Sequence, residues 1–292
     1  MGDFFINLRQ RFDTGSVLVK LLYLNIGLFI VIRLVSVVLM LFNWGDFPFL
    51  QYLQVPSSPW LLLQRPWTLL TYMFTHFDFL HILFNMLWLY WFGGLFQTFF
   101  SERQLGGLYV LGGIAGAALF LLAYNLFPYF QNVAAHSYLM GASASVMAIV
   151  FAVSFYRKDF EIGLFLIGRV KLIYLAWFTL AIDLLAITSE NAGGHIAHIG
   201  GALLGIWFAS RIQKGSDLTA PMNRLIDWFV NLGKRKPKMR VTYKRPETDY
   251  DYNARKHQEA ADLDAILDKL KRSGYTSLSA EEKKKLFDAS NK

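Results

Sequence analysis

The chain has 292 residues, 54% of them hydrophobic and only 17% charged, with a formal net charge of +8. Soluble domains carry about 25% charged residues, so this composition excludes an ordinary water-soluble enzyme and points to a polytopic membrane protein. Cysteine is absent, which excludes disulfides and thiol chemistry and says nothing about the redox compartment.

Residues 1–16 are polar, contain Arg9 and Arg11, and lack the small-residue cleavage pattern of a removable signal peptide. They are expected to form a cytoplasmic N-terminal segment. The first apolar span runs from Val17 to Phe42 and contains Arg33, whose head is expected to reach an interface or a backbone carbonyl. Residues 43–66 form a long connection rich in aromatic residues and proline, a composition suited to the membrane interface. Further spans are expected at 78–99, 105–127, 142–157, 164–187 and 195–210, because each is an apolar run bounded by turn or charged residues. In the third of the six, Gly112 and Gly116 stand at the spacing that permits close helix contact.

Lysine and arginine orient these spans. The connections 128–141 and 188–194 contain neither, whereas Arg9, Arg11, Lys20, Arg103, Arg157 and Lys158 fall on the opposite side, with the basic tail. The positive-inside bias therefore places both termini in the cytoplasm, and the reading assigns the chain to a bacterial inner membrane. Orientation then gives depth. Spans two, four and six enter from the outer face, and His81, Ser143 and His198 each fall near the start of their span, with Asn85 one turn below His81. At about 1.5 Å per residue, all four lie within roughly 10 Å of the outer boundary. Polar side chains at such depth face the bundle interior and mark function.

The chemistry of that layer is suggestive. A serine hydroxyl needs a neighbouring base before it attacks, and histidine suits that role because its pKa lies near neutrality. Ser143 and His198 are thus a candidate nucleophile and base, with Ser145 left open as an alternative nucleophile. His81, Asn85 and the Ser143 amide are candidate donors to an oxyanion. Apart from loop Glu190, no acid is expected at the depth of His198, so a dyad is expected rather than a triad. Asp183 reads as a lone intramembrane acid. Gly201 and Gly205 share a helical face with His198, and Ala144, Ala148 and Ala152 form a matching strip of small residues. His195 and His198, with His76, His81 and His136, make zinc or haem conceivable. Without a His-Glu-x-x-His pattern or a carboxylate in the layer, no metal is expected.

Residues 212–292 hold a basic cluster, Lys234 to Arg240, suited to anionic lipid. Residues 222–232 read as an interfacial amphipathic helix, 258–272 as a further helix, and Ser279 with Glu282 as a capping box. The tail is therefore read as a partly helical cytoplasmic appendage with an unknown partner. Its charge is too mixed for nucleic acid.

Several motifs together resemble the rhomboid family of intramembrane serine proteases. They are Trp67, His76, the His81-x-x-x-Asn85 pattern, Gly141-Ala142-Ser143, and Ala197-His198-x-x-Gly201-x-x-x-Gly205. They cover roughly 17–211 in the family's order. The sequence departs from the family at Ala144, Met147 and Thr68, where glycine, an aromatic residue and arginine are usual. The resemblance implies an all-α bundle of six transmembrane helices over 17–211. It implies a serine endopeptidase with Ser143 as nucleophile and His198 as base, and His81, Asn85 and the Ser143 amide on the oxyanion. It further implies transmembrane protein substrates entering from the lipid bilayer past spans two and five, and no cofactor. A scaffold of the same fold that holds transmembrane clients without cutting them is the alternative.

Overall fold

The computed structural model describes residues 9–44, 49–164, 168–232 and 248–290. The chain divides into two units, Met1–Lys234 and Arg235–Lys292.

The first unit is mostly helical. Helix α1 spans Val17–Leu41. The connection after it holds a short 3-10 turn at Leu50–Tyr52, the two-residue strand β1 (Val55–Pro56), and the short helices α2 (Pro59–Gln64) and α3 (Thr68–Thr71). Then come α4 (Phe79–Gln97), α5 (Glu102–Leu126), α6 (Pro128–Ala134), β2 (Tyr138–Leu139) and α7 (Ser143–Tyr156). Strands β3 (Glu161–Leu164) and β4 (Gly168–Lys171) precede α8 (Leu172–Leu185), α9 (Ala192–Gln213) and α10 (Ala220–Asn231). Among the described residues, α1, α4, α5 and α9 are long and apolar enough to cross a membrane, while α7 and α8 are shorter apolar helices. At about 1.5 Å per residue, a helix of that shorter kind reaches about 21 Å, less than the hydrocarbon thickness of a bilayer.

One expected span is corrected. The run 164–187 is not one helix: 161–164 and 168–171 pair as an antiparallel ladder from Glu161↔Lys171 to Leu164↔Gly168, and the helix starts only at Leu172. A helix begun at 164 would have carried Arg169 and Lys171 in its first turns. The ladder instead sets Lys171 opposite Glu161, and its ammonium lies 3.1 Å from Asp159. Gly168 has φ +89°, a left-handed conformation that interrupts a helix.

Helix α7 is the core. Every residue from Ala144 to Ser154 is buried, as expected for a helix apolar on all sides and surrounded by others. Its neighbours approach through glycine. A Cβ on Gly112 would lie 2.5 Å from that of Ala148, and one on Gly116 would lie 2.5 Å from that of Ala144. On α9, a Cβ on Gly201 would overlap the carbonyl oxygen of Ala144, and one on Gly205 that of Ala148. Backbone therefore touches backbone, and dispersion over many atom pairs replaces side-chain interdigitation.

Buried polar groups tie the outer helices to this centre. Asn25 of α1 donates to the Tyr109 hydroxyl at 3.1 Å, and Tyr109 donates to the Met73 carbonyl at 2.9 Å. The Arg33 guanidinium lies 4.6 Å from the centre of the Phe77 ring. The first connection is anchored by pairing of β1 with β2, Val55↔Leu139 and Pro56↔Tyr138. That ladder fixes the segment leading into α7. Trp67 donates from Nε1 to the Tyr52 carbonyl at 2.9 Å. Helix α10 packs Thr219 and Asn223 against Gly107 of α5 and leaves Leu225, Trp228 and Phe229 exposed, the two-faced character read from its sequence.

The second unit contains α11 (Asp249–Ser273) and α12 (Ala280–Ser290). Ser279 and Glu282 form the reciprocal cap: the Ser279 amide donates to the Glu282 carboxylate at 2.7 Å, and the Glu282 amide donates to the Ser279 hydroxyl at 3.3 Å. Lys269 and Lys285 bridge the two helices to Glu282 and Asp262, at 2.9 and 3.0 Å. The basic cluster Lys234 to Arg240, and residues 1–8 of the N-terminal segment, lie outside the described residues.

Overpacking a tight core costs about 1–3 kcal/mol, more where backbone must move. Gly201→Val should therefore lower the unfolding temperature of the detergent-solubilised protein. Gly94→Ala, which meets nothing within 4 Å, should not. Equal melting of Gly201→Val and wild type would contradict the close approach of α9 to α7.

Candidate active site

The site begins with two helix starts. Asp78 caps α4, accepting from the amides of Leu80 at 2.7 Å and His81 at 3.2 Å, so His81 falls in the first turn and Asn85 one turn further. Helix α7 begins at Ser143 after Ala142, which has no side chain able to cap it. The Gly141 amide donates to the Tyr72 carbonyl at 2.9 Å, and the Ala142 amide donates to His76 Nε2 at 3.2 Å. The amides of the first helical turn, that of Ser143 included, have no partner within their helix and favour negative charge.

His76 accepts that hydrogen bond because it is neutral. Burial, with His81 beside it, pushes its pKa down to about 3. The His76 and His81 rings meet edge to face with centroids 5.1 Å apart. Gly141, at φ +115°, lies beneath the His81 ring: a Cβ there would stand 2.7 Å from Cε1 and 2.8 Å from Nε2. The glycine is thus required both by its backbone conformation and by the imidazole packed on it.

His81, Asn85, Ser143 and His198 line one cavity of about 390 Å³. They come from α4, α7 and α9. Met147, one turn below Ser143, lines it too, and Leu80, Phe84, Trp88, Thr179 and Ile182 give it apolar walls from α4 and α8. The Asn85 amide donates one hydrogen to the His81 carbonyl at 2.9 Å; an amide NH2 has a second. Ser145 is buried, points its helix face toward Gly112, and is not among the residues lining the cavity. His136 is exposed and does not line it either. Gly201, Gly205 and Ala144 lie beneath the site, in the α7–α9 contact.

The expectation that no acid shares this layer is corrected. Asp183, on the last turn of α8, is buried and also lines the cavity. Its Oδ1 lies 2.8 Å from Nδ1 of His198 and 2.8 Å from Nδ1 of His195. A carboxylate only accepts, so each ring is placed to donate from Nδ1, which leaves Nε2 of His198 with its lone pair. The signal was in the spacing. Asp183 stands two residues before the end of α8 and His195 three residues after the start of α9. Two antiparallel helices joined by a short turn put residues equally far from that turn at the same depth. Trio, cavity and helix N-terminus together set a hydroxyl, an imidazole held by a carboxylate, and helix-start amides around one space.

Comparison with known proteins agrees with the resemblance. The family model described as the Rhomboid domain matches residues 63–214, and a family of unknown function, DUF6576, matches 247–292. The chain is similar to RHOMBOID-like protein 12, mitochondrial, of Arabidopsis thaliana, 29% identical over 157 residues, which is 51% of this chain and 47% of that protein. It is also similar to human presenilin-associated rhomboid-like protein, mitochondrial, 28% identical over 150 residues, 47% of this chain and 35% of that protein. The chain thus spans less than half the length of these curated relatives. Both carry mitochondrial in their names, which does not fit the bacterial inner membrane expected from the sequence.

Gly141→Ala should cost more stability than Gly215→Ala. Both force alanine into left-handed backbone, worth about 1–2 kcal/mol, but only the first also strikes His81, whereas Gly215 meets nothing within 4 Å. Thermal unfolding of the two variants checks this; an equal loss would mean that His81 is not seated on Gly141.

Proposed function

As the chain belongs to the Rhomboid domain family, we propose that it is a serine endopeptidase cleaving membrane-anchored proteins inside the bilayer, near its outer face. The observation that carries the reading is the shared cavity of Ser143, His198, His81 and Asn85. In the proposed arrangement α1, α4, α5, α7, α8 and α9 are the six transmembrane helices and both termini are cytoplasmic. The short α7 begins below the outer surface, so Ser143 is reached by water from outside. The apolar side chains of α4 and α8 that wall the cavity suit a transmembrane segment arriving from the lipid between those helices.

His198 Nε2 takes the hydroxyl proton of Ser143 as Oγ attacks the scissile carbonyl carbon. The carbonyl oxygen becomes an oxyanion, held by the Ser143 amide and by donors on His81 and Asn85. The protonated imidazole then gives its proton to the leaving amine as the carbon–nitrogen bond breaks. Water then attacks the acyl carbon as the same nitrogen takes its proton, the ester bond to Oγ breaks, the new carboxyl end leaves, and the imidazolium returns the proton to Ser143 Oγ. Asp183 keeps the hydrogen of His198 on Nδ1, stabilises the imidazolium that forms, and turns the expected dyad into a triad.

Cleavage of a model transmembrane substrate by the reconstituted protein tests this. Ser143→Ala and His198→Ala should abolish turnover. Asn85→Ala should lower it by about 10²–10³, the usual worth of one oxyanion donor. Asp183→Asn can hold His198 in the wrong tautomer and should lower kcat by on the order of 10²–10⁴ with little change in KM. Normal turnover by Ser143→Ala would overturn the assignment. A folded wild type that binds transmembrane segments and cuts none would favour the scaffold.

A further inference from the structure

His195 has no task in this chemistry, yet it is as close to Asp183 as the base is. Its Nδ1 and that of His198 each lie 2.8 Å from the same carboxylate oxygen. One ligand atom from each of Asp183, His195 and His198 lies within 4.8 Å of the others. The two histidines stand one turn apart on α9, and the aspartate arrives from α8, so the trio is held by two packed helices. The carboxylate is nearly sequestered, with 7% of its side chain exposed, while each imidazole keeps 20%. The cavity beside them leaves room for water on the remaining coordination positions.

Two imidazoles and one carboxylate, with open positions, form the donor set that suits a zinc-class divalent ion. Magnesium and calcium prefer oxygen ligands throughout. Ligand bonds of about 2.0–2.1 Å place tetrahedral donors about 3.3 Å apart, so each Asp183–imidazole pair, at 2.8 Å, needs to open by only about half an ångström. We propose that Asp183, His195 and His198 bind a zinc-class divalent cation and that its binding switches the proposed protease off, a role that rests on the reading of Ser143 and His198 given above.

The switch follows from imidazole chemistry. A neutral His198 that ligates through Nδ1 gives that lone pair to the ion, and its hydrogen moves to Nε2. Nε2 then has no lone pair to accept the Ser143 proton, so the hydroxyl stays protonated and does not attack. His195 undergoes the same tautomer change. No net proton is gained or lost by the neutral rings, no electron is transferred, and removal of the ion restores the base.

The test titrates Zn2+ alone into the full detergent-solubilised chain by calorimetry, with Mg2+ as the control. Wild type and Ser143→Ala should both bind one Zn2+ per chain. His195→Ala and the milder His195→Gln should bind at least about 10-fold more weakly, since even supporting residues of metal sites cost that much. Mg2+ should give no heat. In the cleavage assay, Zn2+ should suppress wild type, and a chelator should restore it. The His195 variants, each compared with its own metal-free rate, should resist Zn2+ by a similar factor. Absent Zn2+ binding, or binding unchanged by the His195 variants, would overturn the site. Binding that follows the variants in a protein that cuts nothing would uphold the site and overturn both the inhibition and the protease reading.

Discussion

The approach of α9 to α7 is the constraint from which the rest of the molecule follows. Gly201 and Gly205 bring one helix onto the carbonyl oxygens of Ala144 and Ala148 in the other, with no side chain between. Gly112 and Gly116 do the same from α5. In lipid there is no hydrophobic gain from pressing helices together, so shape must supply the attraction. Small residues at each crossing let the backbones touch, and that contact fixes the rotation of α9 about its axis. His198, three residues before Gly201, is thereby turned toward the start of α7, where Ser143 stands.

The same constraint makes the polar site affordable in an apolar protein. A hydroxyl, two imidazoles and an amide on three helices share one cavity. Each is aimed by a local device: Asp78 sets the start of α4, His76 and Tyr72 hold the backbone before Ser143, the left-handed Gly141 seats His81, and Asp183 holds His198. The ladder of β1 with β2 pins the strand entering α7 to the first connection. The connections are thus part of the site's support.

Much of this was legible in the residues. The apolar runs mark the helices, and His81, Asn85, Ser143 and His198, each near the start of its run, line one cavity. The glycine spacing marks the helix contacts. What was not legible has identifiable causes. The run 164–187 is apolar enough to pass for one helix, and only Gly168 and the charges at Arg169 and Lys171 betray the ladder that shortens it. Asp183, near the outer end of its span, appears isolated because its partners lie across a turn and hydrophobicity carries no record of which face an acid presents. Gly141 reads as a small residue before a serine; its positive φ and its contact with His81 are facts of three-dimensional packing alone.

A hydroxyl activated by an imidazole from another helix is the central claim, and the reactivity of that one oxygen tests it most directly. The folded wild-type protein would be treated with a fluorophosphonate and the modified residue located by peptide mass spectrometry. The account requires a phosphonyl adduct on Ser143 that is lost in His198→Ala. An adduct on Ser145 instead, labelling of Ser143 that does not depend on His198, or no adduct on properly folded protein would contradict it.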